Sequence, residues 1–396
     1  MKKILFLIAA IAVLLVACDK ENKSKSKTPK EDVLTGISLD YDRAIISLDR
    51  RFPLTATLQP AGIEAEIIWR SENPEVATVI DGVVIPQYVG TAKIVAEVNE
   101  EISASCDITV CAFTLDLSNI EVAVDRSQTL SLSITPELED LGDITWTSDH
   151  PEIATVENGV VTGKGIGAAV ITATAGANLK SVCNVNVYRI IYEEGFEDKD
   201  EFESQWTNVD ADGDGFKWKH LDNTGLETGR GRMPTHSGEC LVYSESFNNG
   251  PENEPSIILT PDNWLFSPSI TLSNGTNFLS YWVAPQDNYY PNDKYAVYVA
   301  SNTTPGEHYM LFQETLVANG TTRDGECFRR VLAIPDNFKG QSVHIAFRHY
   351  DCTDIFVMKI DDVSVVEGNM IPEPTPPEPT MTRVYDGSKS LHKILR

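Results

Sequence analysis

"WRSENPEVATV" runs from Trp69 to Val79, and "WTSDHPEIATV" runs from Trp146 to Val156. The same offset of 77 residues carries Gly82 onto Gly159, Gly90 onto Gly167 and Cys106 onto Cys183. A long, constant offset with matched chemistry marks a duplicated structural unit. Both copies alternate apolar and polar residues over short runs, "AIISL", "FPLTATL" and "AKIVAEV" in the first, "TLSLSI" and "AVITATA" in the second. Turn formers ("SENP", "SDHP", "DG", "NG") separate the runs. Strands of this length and spacing predict two β-sandwiches. Trp69 and Trp146 are expected to fill the two cores, with Gly90 and Gly167 in tight bends.

Cys106 and Cys183 sit on the last strand of each copy ("ASCDITV", "SVCNVNV"). They read as buried free thiols. Cys106 and Cys111 are an odd number of residues apart, so on one strand they face opposite ways and cannot bridge. Neither copy offers a nucleophile with a base or a cluster of ligand types, and His150 reads as an exposed turn residue. The shared pattern I-x-W-x-S-x-x-P-E-x-A-T-V, with its later glycines, resembles the bacterial Ig-like group 2 domain. Boundaries of 34–111 and 112–188 follow. The resemblance implies spacers or an adhesive stalk.

From residue 189 the pattern changes. Up to residue 367 the chain is richer in aromatics, Asn and Asp, and it reads as strands such as "SIILT", "NFLSYWVA", "KYAVYVAS", "RRVLAIP", "SVHIAFRHY" and "VMKIDDVSVVE". Strands of this kind joined by long loops predict a larger sandwich of jelly-roll type. The expected fold is all-β: two tandem Ig-like β-sandwiches followed by a larger jelly-roll-like β-sandwich.

"VDADGDGFKW", Val209–Trp218, sets Asp210, Asp212 and Asp214 at alternate positions before Gly215. This is the first half of an EF-hand loop. The glutamate that would complete it is Leu221, and no helical period follows. Two readings remain. Either the aspartates bend the loop by bonding its own backbone, or they hold Ca²⁺ outside an EF-hand with distant help. The distant candidates are Glu197 of "GFE" and Asp361 or Asp362 of "IDDV", on segments that flank the domain's two ends. Such a structural calcium site in an exported protein is expected to bind weakly, on the order of 10⁻⁴ to 10⁻³ M. "PQDNYYPNDKY", Pro285–Tyr295, offers Tyr289 and Tyr290 between Asp287 and Asp293. Aromatics beside polar groups suit sugar stacking or protein contact. The other reading is a loop packed on its own sandwich. Asp287 and Asp293 also form a second candidate calcium pair. "FRHYDCTD", Phe347–Asp354, looks catalytic. However, His344 and His349 fall on opposite strand faces, and Arg348 and Asp354 read as a structural pair. No catalytic residue is assigned.

"GFE", "WTNVDADGDGFKW", "HSGECLVYSES", "PDNWLFSPSI", "YWVAPQD", "DKYAVYVAS", "IAFRHYDCTD" and "IDDVSV" occur in the order found in cleaved-adhesin domains. These are the haemagglutinin/adhesin modules attached to gingipain-type proteases. The resemblance spans nearly all of 189–367. It implies a jelly-roll-like fold, structural calcium and adhesion to host proteins or glycans. It carries no protease function, because no protease domain is present in this sequence.

"MKKILFLIAAIAVLLVAC" opens the sequence with two lysines, an apolar run and small residues, the layout of an export signal. Its end, "LVAC", resembles the lipobox of bacterial lipoproteins. This implies a signal peptide at 1–17, lipidation of Cys18 and a membrane anchor in which each buried methylene contributes about 0.8 kcal/mol. Residues 18–33 are lysine-rich and read as a flexible tether. Residues 368–396 begin as a Pro-rich linker and tail. The net charge is −26, which disfavours nucleic acid. These readings converge on an outer-membrane, lipid-anchored adhesin of a Gram-negative bacterium. The rivals are a carbohydrate-active enzyme or glycan-binding component, and a scaffold without a tip ligand.

Overall fold

The computed structural model describes residues 33–138, 142–224, 233–249, 255–320 and 323–370. The signal peptide, Cys18, most of the tether and the tail from 371 lie outside the described residues. Strands dominate the described chain, with one short α-helix and one 3-10 turn. Two compact bodies form, one from described residues 33–44 and 50–110, the other from residues 45–49 and 111–370.

In the first body, Gly90–Asn99 pairs antiparallel with Ile68–Ser71 and with residues 102–110. A smaller sheet joins Phe52–Pro53, Val83–Pro86 and Ala77–Ile80. Phe52, Leu54, Val84, Ile94, Cys106 and Ile108 are buried. The second Ig-like module repeats this plan. Gly167–Ala175 lies between Ile144–Ser148 and Leu179–Glu194, and Ser127–Thr129, Val160–Gly163 and Ala154–Glu157 form the small sheet. Asn119–Ala123 runs parallel to residues 184–188.

The repeat holds in three dimensions at its turn glycines. Gly82 and Gly159 both adopt left-handed φ, +81° and +83°. A Cβ on Gly82 would lie 2.6 Å from the Leu54 carbonyl oxygen and 3.1 Å from Trp69. On Gly159 it would lie 2.7 Å from the Leu130 oxygen and 3.3 Å from Trp146. The tryptophans therefore rest on bare turn backbone. They are half-buried rather than central, because each sits on a sheet's outermost strand. Gly90 and Gly167 open long strands instead of closing tight bends. Cys106, Cys111 and Cys183 are buried free thiols. Cys106 belongs to the first body, whereas Cys111 packs with Phe113, Ala173 and Leu179 in the second.

Leu179–Glu194 is a single strand of 16 residues. Its first part completes the second Ig-like module, and residues 189–194 pair with Val357–Glu367 of the jelly roll. Arg329 and Glu121 add an ion pair at 2.7 Å across the same border. In the jelly roll, Val357–Glu367 is flanked by Asn277–Pro285 on one side and by residues 189–194 and Cys240–Glu245 on the other. The facing sheet runs Thr207–Asp210, Asp262–Phe266, Ser342–Tyr350, Lys294–Ala300, Tyr309–Thr315. Trp218, Leu279, Tyr281, Val297, Phe347 and Ile360 belong to the buried core. Each such side chain contributes about 1.5–3 kcal/mol. The segment expected to form "SIILT" forms only the two-residue strand Ile257–Ile258. The helix Lys199–Gln205 was not expected. Asp198 caps it by accepting from Glu201 N, and Phe202 anchors it in the core.

Candidate metal centres and ligand loop

Glu197 follows the first strand of the jelly roll, and Asp361 and Asp362 lie on its last. Both segments meet the turn at residues 235–240. Asp361 accepts from His236 N at 2.7 Å and Ser237 N at 3.4 Å. Asp362 accepts from Ser237 Oγ at 2.9 Å and lies 2.5 Å from His236 Nδ1. Glu197 accepts from Glu239 N and Cys240 N at 3.1 and 3.2 Å. The His236 ring stacks on Trp282 with centroids 3.5 Å apart, which fixes the turn. Gly238 has left-handed φ, and its missing Cβ would fall 2.0 Å from Glu197 Oε1. A glycine is required there so that the carboxylate can lie against the turn. Burial and the neighbouring Asp362 charge push Asp361 up to about 7. The turn at 235–240 thus supplies hydrogen-bond donors to all three carboxylates.

Asp210, Asp212 and Asp214 form a separate group, with one oxygen of each within 4.8 Å of the others. Asp210 accepts from Gly213 N and Gly215 N at 2.7 and 2.8 Å, and Asp214 accepts from Phe216 N at 2.7 Å. The loop thus bends on its own carboxylates, as the first of the two sequence readings has it. Asp212 is pushed up to about 6 by partial burial, by its bond to Asp210 and by the Asp214 charge. The expectation that Glu197 and Asp361 or Asp362 join these aspartates is corrected here, since none of the three lies in the group. Asp210 ends a strand paired with Asp262–Phe266 in one sheet, whereas Asp361 and Asp362 belong to the other. Asp210, Asp212 and Asp214 form one cluster, whereas Glu197, Asp361 and Asp362 each bond the turn at 235–240.

The loop from Pro285 to Tyr295 is also corrected in part. Asp287 is buried and bonds Arg323 Nε at 2.7 Å and Tyr289 N at 2.8 Å. Asp293 is fully buried, with His349 Nε2 at 3.1 Å and Ser246 Oγ at 2.8 Å. Each carboxylate has its own partners, so they are not a calcium pair, and neither faces solvent. Tyr290 leans on Phe356 with centroids 5.4 Å apart. Tyr289 is the residue the loop presents, at 71% exposure. Arg348 does not pair with Asp354. It bonds both oxygens of Asp262, at 2.7 and 2.9 Å, and lies over Trp264 and Tyr350. A groove of about 630 Å³ lies elsewhere, on the second Ig-like module, lined by Asn119, Asp149, His150, Asn184 and Asn186 among others.

Residues 189–365 match the cleaved adhesin domain, and residues 109–185 match the bacterial Ig-like domain (group 2). Hemagglutinin A of Porphyromonas gingivalis is 33% identical over 180 residues, which cover 42% of this chain and 6% of that protein. Gingipain R1 of the same species is 34% identical over 173 residues, covering 41% of this chain and 9% of that protein. The chain therefore matches less than a tenth of the length of these relatives. The K1 cleaved adhesin domain of Lys-gingipain from P. gingivalis W83 is 29% identical, covers 45% of this chain and 98% of that domain, and has a TM-score of 0.36. Residues 189–365 are accordingly similar to the cleaved adhesin domain, and the module that precedes them is similar to the bacterial Ig-like domain of group 2.

Proposed function

We propose that this chain is a lipid-anchored surface adhesin of a Gram-negative bacterium. In this reading Cys18 carries the anchor, the Ig-like modules form the stalk, and a calcium-stabilised jelly roll binds a host protein or glycan. The observation that carries the proposal is the match of one whole folded module, 189–365, to the cleaved adhesin domain. Relatives that share this module include one named hemagglutinin. Two structural features support the reading. Tyr289 is held out to solvent by a loop whose base is pinned by the Asp287–Arg323 pair. An aromatic ring on a fixed loop offers contact area at little conformational cost. Asp361 and Asp362 carry neighbouring charges that a divalent cation would offset, beside the turn that Glu197 also bonds.

The test is capture of glycans from an array, and of host-surface proteins by pull-down, using the full chain in calcium and in chelator. Capture that weakens in chelator and falls at least tenfold in Tyr289→Ala supports the proposal. Chemical turnover of a captured glycan would replace adhesion with enzymatic action. Absence of capture in either buffer would leave a scaffold.

A further inference from the structure

A second kind of ligand set lies inside the jelly roll, apart from the acidic clusters. Asp293 Oδ1 is 3.1 Å from His349 Nε2. Cys352 Sγ is 3.1 Å from the same nitrogen and 3.8 Å from Asp293 Oδ1. Asp293 and His349 are fully buried, and Cys352 is half-exposed. The other oxygen of Asp293, Oδ2, is buried with no hydrogen-bond partner. A stranded buried acceptor of this kind costs on the order of 1–3 kcal/mol or more, and it points to an ion or a water that completes the site.

The arrangement is not a proton relay. A thiol–imidazole–carboxylate relay puts the nucleophile on one ring nitrogen and the carboxylate on the other. Here thiol and carboxylate share Nε2, while Nδ1 faces Ser244 Oγ at 2.8 Å. Three donor atoms gathered at one point are the geometry of a metal site.

We propose that Asp293, His349 and Cys352 bind a zinc ion. Zinc takes N and O ligands near 2.0 Å and S near 2.3 Å in a tetrahedron, whose ligand-to-ligand edges are then about 3.3–3.6 Å. The three observed separations, 3.1, 3.1 and 3.8 Å, bracket that range. The outer partners are also in place. Ser244 Oγ accepts from Asn263 Nδ2 at 3.1 Å and keeps a second lone pair, so the tautomer in which His349 Nδ1–H donates to it is accommodated, and that tautomer leaves the Nε2 lone pair for the metal. Ser246 Oγ donates to Asp293 Oδ1 and orients the carboxylate. A thiolate and an imidazole in the set favour zinc over calcium or magnesium. The fourth position falls to Asp293 Oδ2 or to a water entering beside Cys352.

The test titrates the full chain, reduced and in excess calcium, with Co²⁺ and then Zn²⁺. The expected result is one equivalent of cobalt, tetrahedral visible bands and a thiolate-to-cobalt charge-transfer band, all displaced by zinc. Cys352→Ser should abolish the charge-transfer band and weaken zinc binding on the order of 100-fold. Absence of the band, or its survival in Cys352→Ser, overturns the proposal. A second measurement needs no variant. Zinc should slow alkylation of Cys352 at least tenfold, while Cys327, also half-exposed, is alkylated at an unchanged rate. Equal rates with and without zinc would overturn the proposal as well. Calcium-dependent adhesion can fail without touching either result.

Discussion

Replacing Gly238 by alanine tests the calcium reading through one atom. The new Cβ would lie 2.0 Å from Glu197 Oε1 and 2.7 Å from Oε2. The carboxylate is the free end of a flexible side chain, so it moves aside by more than 1 Å, an estimate set by ordinary van der Waals contact. It then gives up the N–H groups of Glu239 and Cys240. Alanine at φ +55° adds about 1–2 kcal/mol of backbone strain. With the weakened hydrogen bonds, the loss in chelator is about 2–3 kcal/mol, or roughly 5–10 °C in Tm for a unit of this size. Calcium at a hundred times its Kd stabilises the native chain by about 2.7 kcal/mol, or roughly 5–11 °C. The variant should lose most of that increment on top of its loss in chelator. Scanning calorimetry of both chains in calcium and in chelator measures all four values. Gly306→Ala serves as control, since a Cβ there meets nothing within 4 Å. If Gly238→Ala lowers Tm equally in both buffers, Glu197 is not a calcium ligand. If the native chain gains nothing from calcium, the ion has no part in its stability.

Two further outcomes follow from packing. Glu314→Ala strands the Arg330 guanidinium, which is only 10% exposed and bonds both Glu314 oxygens at 3.0 Å, and it also removes the acceptor of Tyr295 OH. A loss of about 3–5 kcal/mol is expected in urea unfolding, and Glu314→Leu with Arg330→Met should recover most of it; a double variant no better than the single one refutes the argument. Gly159→Ala should cost at least about 2 kcal/mol, because its Cβ meets the Leu130 carbonyl at 2.7 Å as well as the left-handed φ, whereas Gly176→Ala, equally left-handed but in open space, should cost only about 1–2 kcal/mol; equal urea midpoints would contradict this.

The Ig-like architecture was legible because period-two alternation and a constant offset report local structure twice over. The turn glycines and tryptophans occupy equivalent places in both copies. The helix Lys199–Gln205 was overlooked although its signal was present: Asp198 followed by Glu201 is a capping pair, with Phe202 as the buried residue. Grouping Glu197 with Asp361 and Asp362 was within reach of sequence, since it follows from pairing the first and last strands of one sandwich. Separating them from Asp210, Asp212 and Asp214 was not. That depends on which sheet each strand joins, a choice set by contacts far apart in the chain. Asp293, His349 and Cys352 were harder still. They meet because Tyr295 is in register with His349, and a slip of one residue would turn His349 to the other face. The same register logic explains Arg348. Opposite Trp264, it finds Asp262 two residues along the neighbouring strand, so Asp354 was never its nearest carboxylate.

The strand Leu179–Glu194 gives the calcium question its functional weight. A hinge between two modules needs residues free of ladder bonds, and there are few at this border. Tyr188 pairs with Ala123 of the Ig-like module, and Arg189 pairs with Glu367 of the jelly roll. The sheet therefore passes from one module to the next without a linker. Glu194 then pairs with Val363, with Glu197 just beyond one end of that rung and Asp361 and Asp362 beside the other. Repulsion between the neighbouring Asp361 and Asp362 charges acts beside this last rung of the junction. In the proposed calcium-bound state, a cation held beside Asp361 and Asp362 would relieve that repulsion and tighten the ladder through which a pull on the jelly roll reaches the Ig-like module. Under the proposed calcium site, the ion that stabilises the jelly roll would thus also strengthen its connection to the Ig-like module.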